Sequence, residues 1–245
     1  MQIPKELRAA RSASLLAPLF MLAAIPVASA QVRPPAQAPP VQKTLGPGEV
    51  HVGKSRIYVH VFKTGLGHEH AVVGSVKEGV LHLGAPQDAG QVTVDLGSFL
   101  ADPDTARKFI GLAGTTDAGT QQKVTANMLG SDVLNVTKFP TTSAKFHAAR
   151  LLAKPSQRGL PQYALDADLT LHGVTRKLQV VAEAEDSDGW VRLRAHWPLV
   201  QSEFGMTPYT AALGAIGVAD QLELYCDLYL AKENRVSQAA GGAVR

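Results

Sequence analysis

Between residues 56 and 230 the chain alternates apolar and polar residues with a period of two, and this pattern limits the possible folds more than any other feature. Ile57, Val59 and Val61 alternate with Arg56, Tyr58 and His60, and Val92, Val94 and Leu96 with Gln91, Thr93 and Asp95. Tyr163, Leu165, Ala167, Leu169 and Leu171 form a third stripe; Leu178, Val180, Ala182 and Ala184 a fourth; Val191, Leu193, Ala195 and Trp197 a fifth. Leu222 to Leu230 gives the last. Successive side chains of a strand point to opposite faces, so each segment predicts a strand with one packed and one wet face, as in an antiparallel sheet. Turn residues separate the stripes: His172-Gly173, Asp186-Ser187-Asp188-Gly189 and, earlier, Lys77-Glu78-Gly79. Glycine supplies the positive φ that tight hairpins need, so the links predict a meander of sequential strands.

About eight such strands in an open sheet would expose two edges, and closure into a barrel removes them. An eight-stranded barrel has an interior that is filled by its own side chains or holds one small ligand. The inward stripes are mostly Val, Leu and Ala, and only 6% of the chain is aromatic. Small and medium side chains fill a barrel poorly, which favours an apolar guest; a self-filled barrel is the alternative. The strand period disappears between Asp102 and Asn135. There Asp102-Pro103-Asp104 is suited to cap a short helix carrying Phe109 and Ile110, and Val124, Met128 and Leu129 follow helical spacing up to Gly130. The expected fold is therefore all-β, an antiparallel eight-stranded barrel with a helical excursion over 102–135 that plugs or covers one end.

The N-terminus reads as an address. Lys5, Arg8 and Arg11 precede an apolar run from Leu15 to Ile25, and Ala28-Ser29-Ala30 supplies small residues for cleavage before Gln31. Residues 1–30 are thus an expected signal peptide, which places the mature chain in the periplasm or outside the cell; an uncleaved anchor is the alternative. Residues 31–47 form a proline-rich tether, 48–233 the folded unit and 234–245 a loose tail. The formal charge of +3 falls to about +1 without the leader, so it gives no reason to expect a nucleic-acid partner. Cys226, the only cysteine, lies in phase with the leucines of the last stripe and reads as a buried strand residue.

Two segments together carry a family resemblance. Met128-Leu129-Gly130-Ser131-Asp132-Val133-Leu134-Asn135-Val136-Thr137-Lys138-Phe139-Pro140, followed by Ala144-Lys145-Phe146, resembles the helix-to-strand segment of the YceI family. Asp168-Leu169-Thr170-Leu171-His172-Gly173-Val174-Thr175-Arg176 resembles its hairpin. Ser202-Glu203-Phe204-Gly205-Met206 stands where that family has an arginine-led acidic-Phe-Gly segment, with Gln201-Ser202 in place of the arginine. The resemblance covers about 50–232 and implies a lipocalin-like periplasmic barrel that binds polyisoprenoid chains such as quinones.

The candidate ligand-binding residues are His68, His70, Val94, Met128, Leu134, Phe146, Leu169, Leu171, Phe204 and Tyr209. In Gly67-His68-Glu69-His70 the two histidines, two apart on a strand, share a face and Glu69 points away. Three roles stay open for the pair: polar residues at a strand entrance, contact with a ligand headgroup, or a metal site, which would make the chain a metal-binding protein or a metal-dependent enzyme. A metal would take its third ligand from His51, His60, His82, His147 or His196, since no acidic residue stands at a familiar spacing. No Gly-Xaa-Ser-Xaa-Gly elbow, phosphate loop or CxxC occurs, so the expectation is a binding protein without catalytic residues and with no cofactor beyond a bound isoprenoid lipid. Its partner would be an apolar small-molecule lipid, with at most transient membrane contact. A domain that binds a protein partner through an exposed apolar patch is a third class.

Overall fold

The computed structural model describes residues 45–232. The expected signal peptide, nearly all of the tether and the tail lie outside the described residues. Strands β1 (Arg56–Gly65), β2 (His70–Leu81) and β3 (Gly90–Ala101) precede helices α1 (Asp104–Ile110) and α2 (Ala118–Leu129). Then come β4 (Thr141–Leu151), β5 (Gln162–Leu171), β6 (Val174–Ser187), β7 (Trp190–Val200), the two-residue β8 (Thr210–Ala211) and β9 (Ile216–Ala231). Neighbours from β1 to β7 pair antiparallel in chain order, β7 pairs with β9, and β9 pairs back with β1. The result is a closed eight-stranded meander barrel, with β8 added to the start of β9.

The alternating stripes decide which face closes inward. Val59, Val94, Leu165, Ala182, Leu193 and Cys226 are all buried in one continuous core. The β5–β6 hairpin turns on His172 (φ 52°) and Gly173 (φ 78°), and the β6–β7 hairpin on Asp188 (φ 48°) and Gly189 (φ 84°). Positive φ at both central residues matches the right-handed twist of the flanking strands.

Lys77-Glu78-Gly79 is not a turn but the interior of β2. The register against β3 shifts between Val76 and Glu78, so a bulge absorbs one residue there. Val76 is buried while Lys77 and Glu78 are both exposed. Without the extra residue, strict alternation would drive one of the two charges into the barrel. Asp102 also departs from expectation. Helix α1 starts after Pro103 without a side-chain cap, and Asp102 is instead fully buried at φ 57°. Helix α1 packs on the outside of the barrel, where Phe109 stacks on the outward Tyr58 at 3.7 Å. Helix α2, capped by Asp117 accepting from the Thr120 N–H, turns Val124 and Met128 toward the barrel interior and covers one end.

Candidate binding site

The interior is hollow. A cavity of about 230 Å³ runs inside the barrel and is walled by the inward stripes. An apolar cavity of roughly 150 Å³ already stays dry and takes up benzene, so this space is ample for an apolar guest. Toward the end away from the helices the wall is wholly apolar, with Leu81, Val92, Phe146 and Leu228. Toward the helix-bearing end it becomes polar. His70 opens β2, Thr142 lies at the start of β4, Gln201 follows β7, Asn127 comes from α2 and Tyr209 precedes β8. Two of these are held internally: Thr142 Oγ1 donates to the Thr170 carbonyl at 2.7 Å and Gln201 Nε2 to that of Ala219 at 2.9 Å.

Of the residues singled out from sequence, Val94, Phe146, Leu169 and Leu171 line this cavity from the strands. Met128 and Leu134 line it from α2 and the segment after it, and Tyr209 and His70 at its polar end. Phe204 does not. It is buried in the packing beneath the 201–206 turn, where its carbonyl faces His172 Nδ1 at 3.2 Å. His68 does not either; its side chain is 54% exposed and it precedes β2 rather than lying in it.

The two histidines nevertheless meet, with ring centroids 4.5 Å apart, around an acid that the sequence reading passed over. His68, His70 and Asp102 offer ligand atoms within 4.8 Å of one another. None of the five histidines considered as a third ligand is the partner. His60 binds Glu69 at 2.8 Å, which indeed points away from the pair. His147 binds Asp168, His196 stacks on Tyr225, His51 packs on Trp190, and His82 lies against Gly48.

Asp102 is saturated by the protein. Its Oδ2 stands 2.6 Å from His70 Nδ1, and its Oδ1 accepts from the Ala71 N–H at 2.9 Å and from Arg107 Nη1 at 3.0 Å. Arg107 is itself anchored on the carbonyls of Ala113 and Gly114. Burial works to raise the Asp102 pKa, but the bonds from His70, Ala71 and Arg107 outweigh it and hold the carboxyl below the usual carboxylate range. A buried carboxylate so placed fixes the His70 ring with Nδ1 toward Asp102, which leaves Nε2 for a guest. A metal would find two imidazoles and an aspartate already committed to a guanidinium, fewer free ligands than the three or four zinc takes. The geometry therefore favours a polar contact for His70 over a metal centre.

Asp102 escaped the sequence reading because it is 32 residues from His70 and sits before a proline, where an acidic residue ordinarily marks a helix start. Asn127 and Gln201 escaped because a polar residue at a strand end or on a helix gives no sign that it faces a lumen.

The family model for the YceI-like domain matches residues 49–230. No curated protein matches the chain. Among solved structures it is similar to Burkholderia cenocepacia BcnA, at 16% identity and TM-score 0.47, covering 74% of this chain and 98% of that one. It is also similar to a polyisoprenoid binding domain from Saccharophagus degradans implicated in plant cell wall breakdown, at 11% identity and TM-score 0.45, covering 76% and 99%. A mutant Campylobacter jejuni YceI protein with a monobromobimane guest matches at 13% identity and TM-score 0.44, covering 65% and 84%. With the family model spanning the whole barrel from the bridge at Glu49 to Leu230, this chain belongs to the YceI-like domain family.

Proposed function

We propose that this chain is a periplasmic carrier that holds a long apolar lipid, of the polyisoprenoid or quinone-like class, inside its barrel. One observation carries the reading: the lumen is graded, apolar along most of its wall and polar only at the helix-bearing end. A guest with a long apolar body and one polar end matches that gradient. Its body would gain about 25 cal/mol for each Å² of apolar surface removed from water. Its polar end would lie toward His70, whose ring Asp102 holds in place, with Asn127 and Tyr209 nearby. Family membership and the leader-like N-terminus support the same reading. No bond is made or broken in it.

The test is to express the full chain with its own leader in a Gram-negative host. Fractionation and N-terminal sequencing are expected to find a periplasmic protein beginning at Gln31. Solvent extraction and mass spectrometry are expected to find a prenyl-chain lipid near one per protein. A protein that yields no lipid and does not take up prenyl compounds when they are supplied would overturn the carrier reading.

A further inference from the structure

The lumen contains a buried donor that the protein leaves without a partner. Trp197 lines the cavity from β7, and its indole Nε1 is sealed from solvent with no acceptor among the described residues. Buried polar groups are almost always hydrogen-bonded, and one left without a partner inside a ligand cavity points to the ligand. The ladder locates it. His70 lies in one row with Val61, Leu222 and Leu199, and Trp197 in the next row with Leu224, Val59 and Val72. Trp197 is therefore two residues, roughly 7 Å, deeper along the strands than the His70 row. Strand β7 is separated from β2 by β9 and β1, so the two side chains approach the lumen from widely separated parts of the wall.

The lining also restricts the charge of what can reach this depth. It includes no Lys, Arg, Asp or Glu among the described residues. A phosphate or pyrophosphate drawn in would lose its water and meet no opposite charge, which is far costlier than burying a neutral oxygen.

We propose that Trp197 is a specificity-determining residue, its indole N–H donating to a neutral oxygen acceptor on an otherwise apolar guest. The inference rests on the carrier reading and narrows it: neutral oxygenated isoprenoids are preferred over both plain hydrocarbons and prenyl pyrophosphates.

The experiment uses the full mature chain stripped of endogenous lipid and three probes. They are the isoprenoid ketone phytone, the hydrocarbon pristane (a methyl group in place of the ketone oxygen) and farnesyl pyrophosphate. Each competes with a fluorescent naphthylamine, and proton–nitrogen correlation spectra follow the two indole signals, assigned with Trp190→Phe. Phytone is expected to bind about fivefold tighter than pristane, the worth of one net hydrogen bond, and to move the Trp197 indole signal downfield. Trp197→Phe should erase the preference, so that phytone and pristane then compete equally with each other. Equal binding of phytone and pristane overturns the inference and leaves the carrier reading standing, as does tightest binding of farnesyl pyrophosphate. An indole signal that phytone leaves unmoved, the mark of a donor met by a buried water only, overturns it too, and that readout needs no variant at Trp197. If none of the three competes, the carrier reading itself fails and takes this one with it.

Discussion

Asp102 and Cys226 are both buried ionisable groups, and the fold treats them in opposite ways. Asp102 is held ionised by His70, the Ala71 N–H and Arg107, so its pKa is depressed below the ordinary 3.8. Its contribution to stability is present above that value and is lost as pH falls through the depressed folded pKa. Asp102→Asn leaves the Arg107 guanidinium buried without its counter-charge, and is expected to cost about 3 kcal/mol at neutral pH. Denaturant titrations of the two proteins between about pH 2 and pH 5 should converge toward the acid end, because the charge deleted in the variant is there protonated in the parent. Parallel curves would show that Asp102 carries no charge worth in the fold. Cys226 is kept neutral: burial pushes its thiol up from 9.0 to about 12. Its contribution is complete below pH 9 and lost as pH rises toward 12, because the unfolded thiol ionises first. Cys226→Ala is expected to flatten the alkaline fall in stability relative to the parent, and a water-soluble thiol reagent should label Cys226 only after unfolding.

At the scale of elements, hairpins test how local the determinants of structure are. Gly173 and Gly189 both adopt left-handed φ in two-residue turns, but their surroundings differ. A Cβ at Gly189 would meet no heavy atom within 4 Å, whereas one at Gly173 would lie 2.8 Å from the Phe139 ring. Gly189→Ala should therefore cost only the backbone term, about 1 kcal/mol, and Gly173→Ala about 2 kcal/mol or more, with Phe139→Ala in the same chain reducing the difference. Thermal melts of the parent, the two glycine variants, Phe139→Ala and the Gly173→Ala/Phe139→Ala double variant decide this, and equal losses at both glycines would show that Phe139 yields freely. The same contrast explains what could be read in advance. The stripes, the His172-Gly173 turn and the two helices were legible because each is written in consecutive residues. The β2 bulge was not, since Lys77-Glu78-Gly79 has turn composition and only the pairing with β3 makes it a strand. Nor was the Asp102 anchor, or the displacement of Phe204 from the lumen wall, since both depend on which distant element arrives beside them.

For the molecule as a whole, closing the barrel satisfies both sheet edges but leaves the interior to be filled, and this sequence does not fill it. Its inward positions are mostly Val, Leu and Ala, with few of the larger rings a self-filled barrel would need, and about 230 Å³ stays open. Unfilled volume forfeits dispersion contacts, and a barrel that keeps it gives up stability that a guest restores on binding. Adding bulk inside should then block binding at little cost in stability, the reverse of overpacking a dense core. Leu169 lines the lumen from β5, and Leu151 is exposed on the outside of β4. Leu169→Trp is expected to weaken uptake of an apolar fluorescent probe at least tenfold while changing stability by less than about 1 kcal/mol, since the added ring enters open space. Leu151→Trp should leave uptake unchanged. Should Leu169→Trp bind the probe as the parent does while remaining folded, the probe site lies outside the lumen. Should it instead unfold the protein by several kcal/mol, the interior is already packed to its limit.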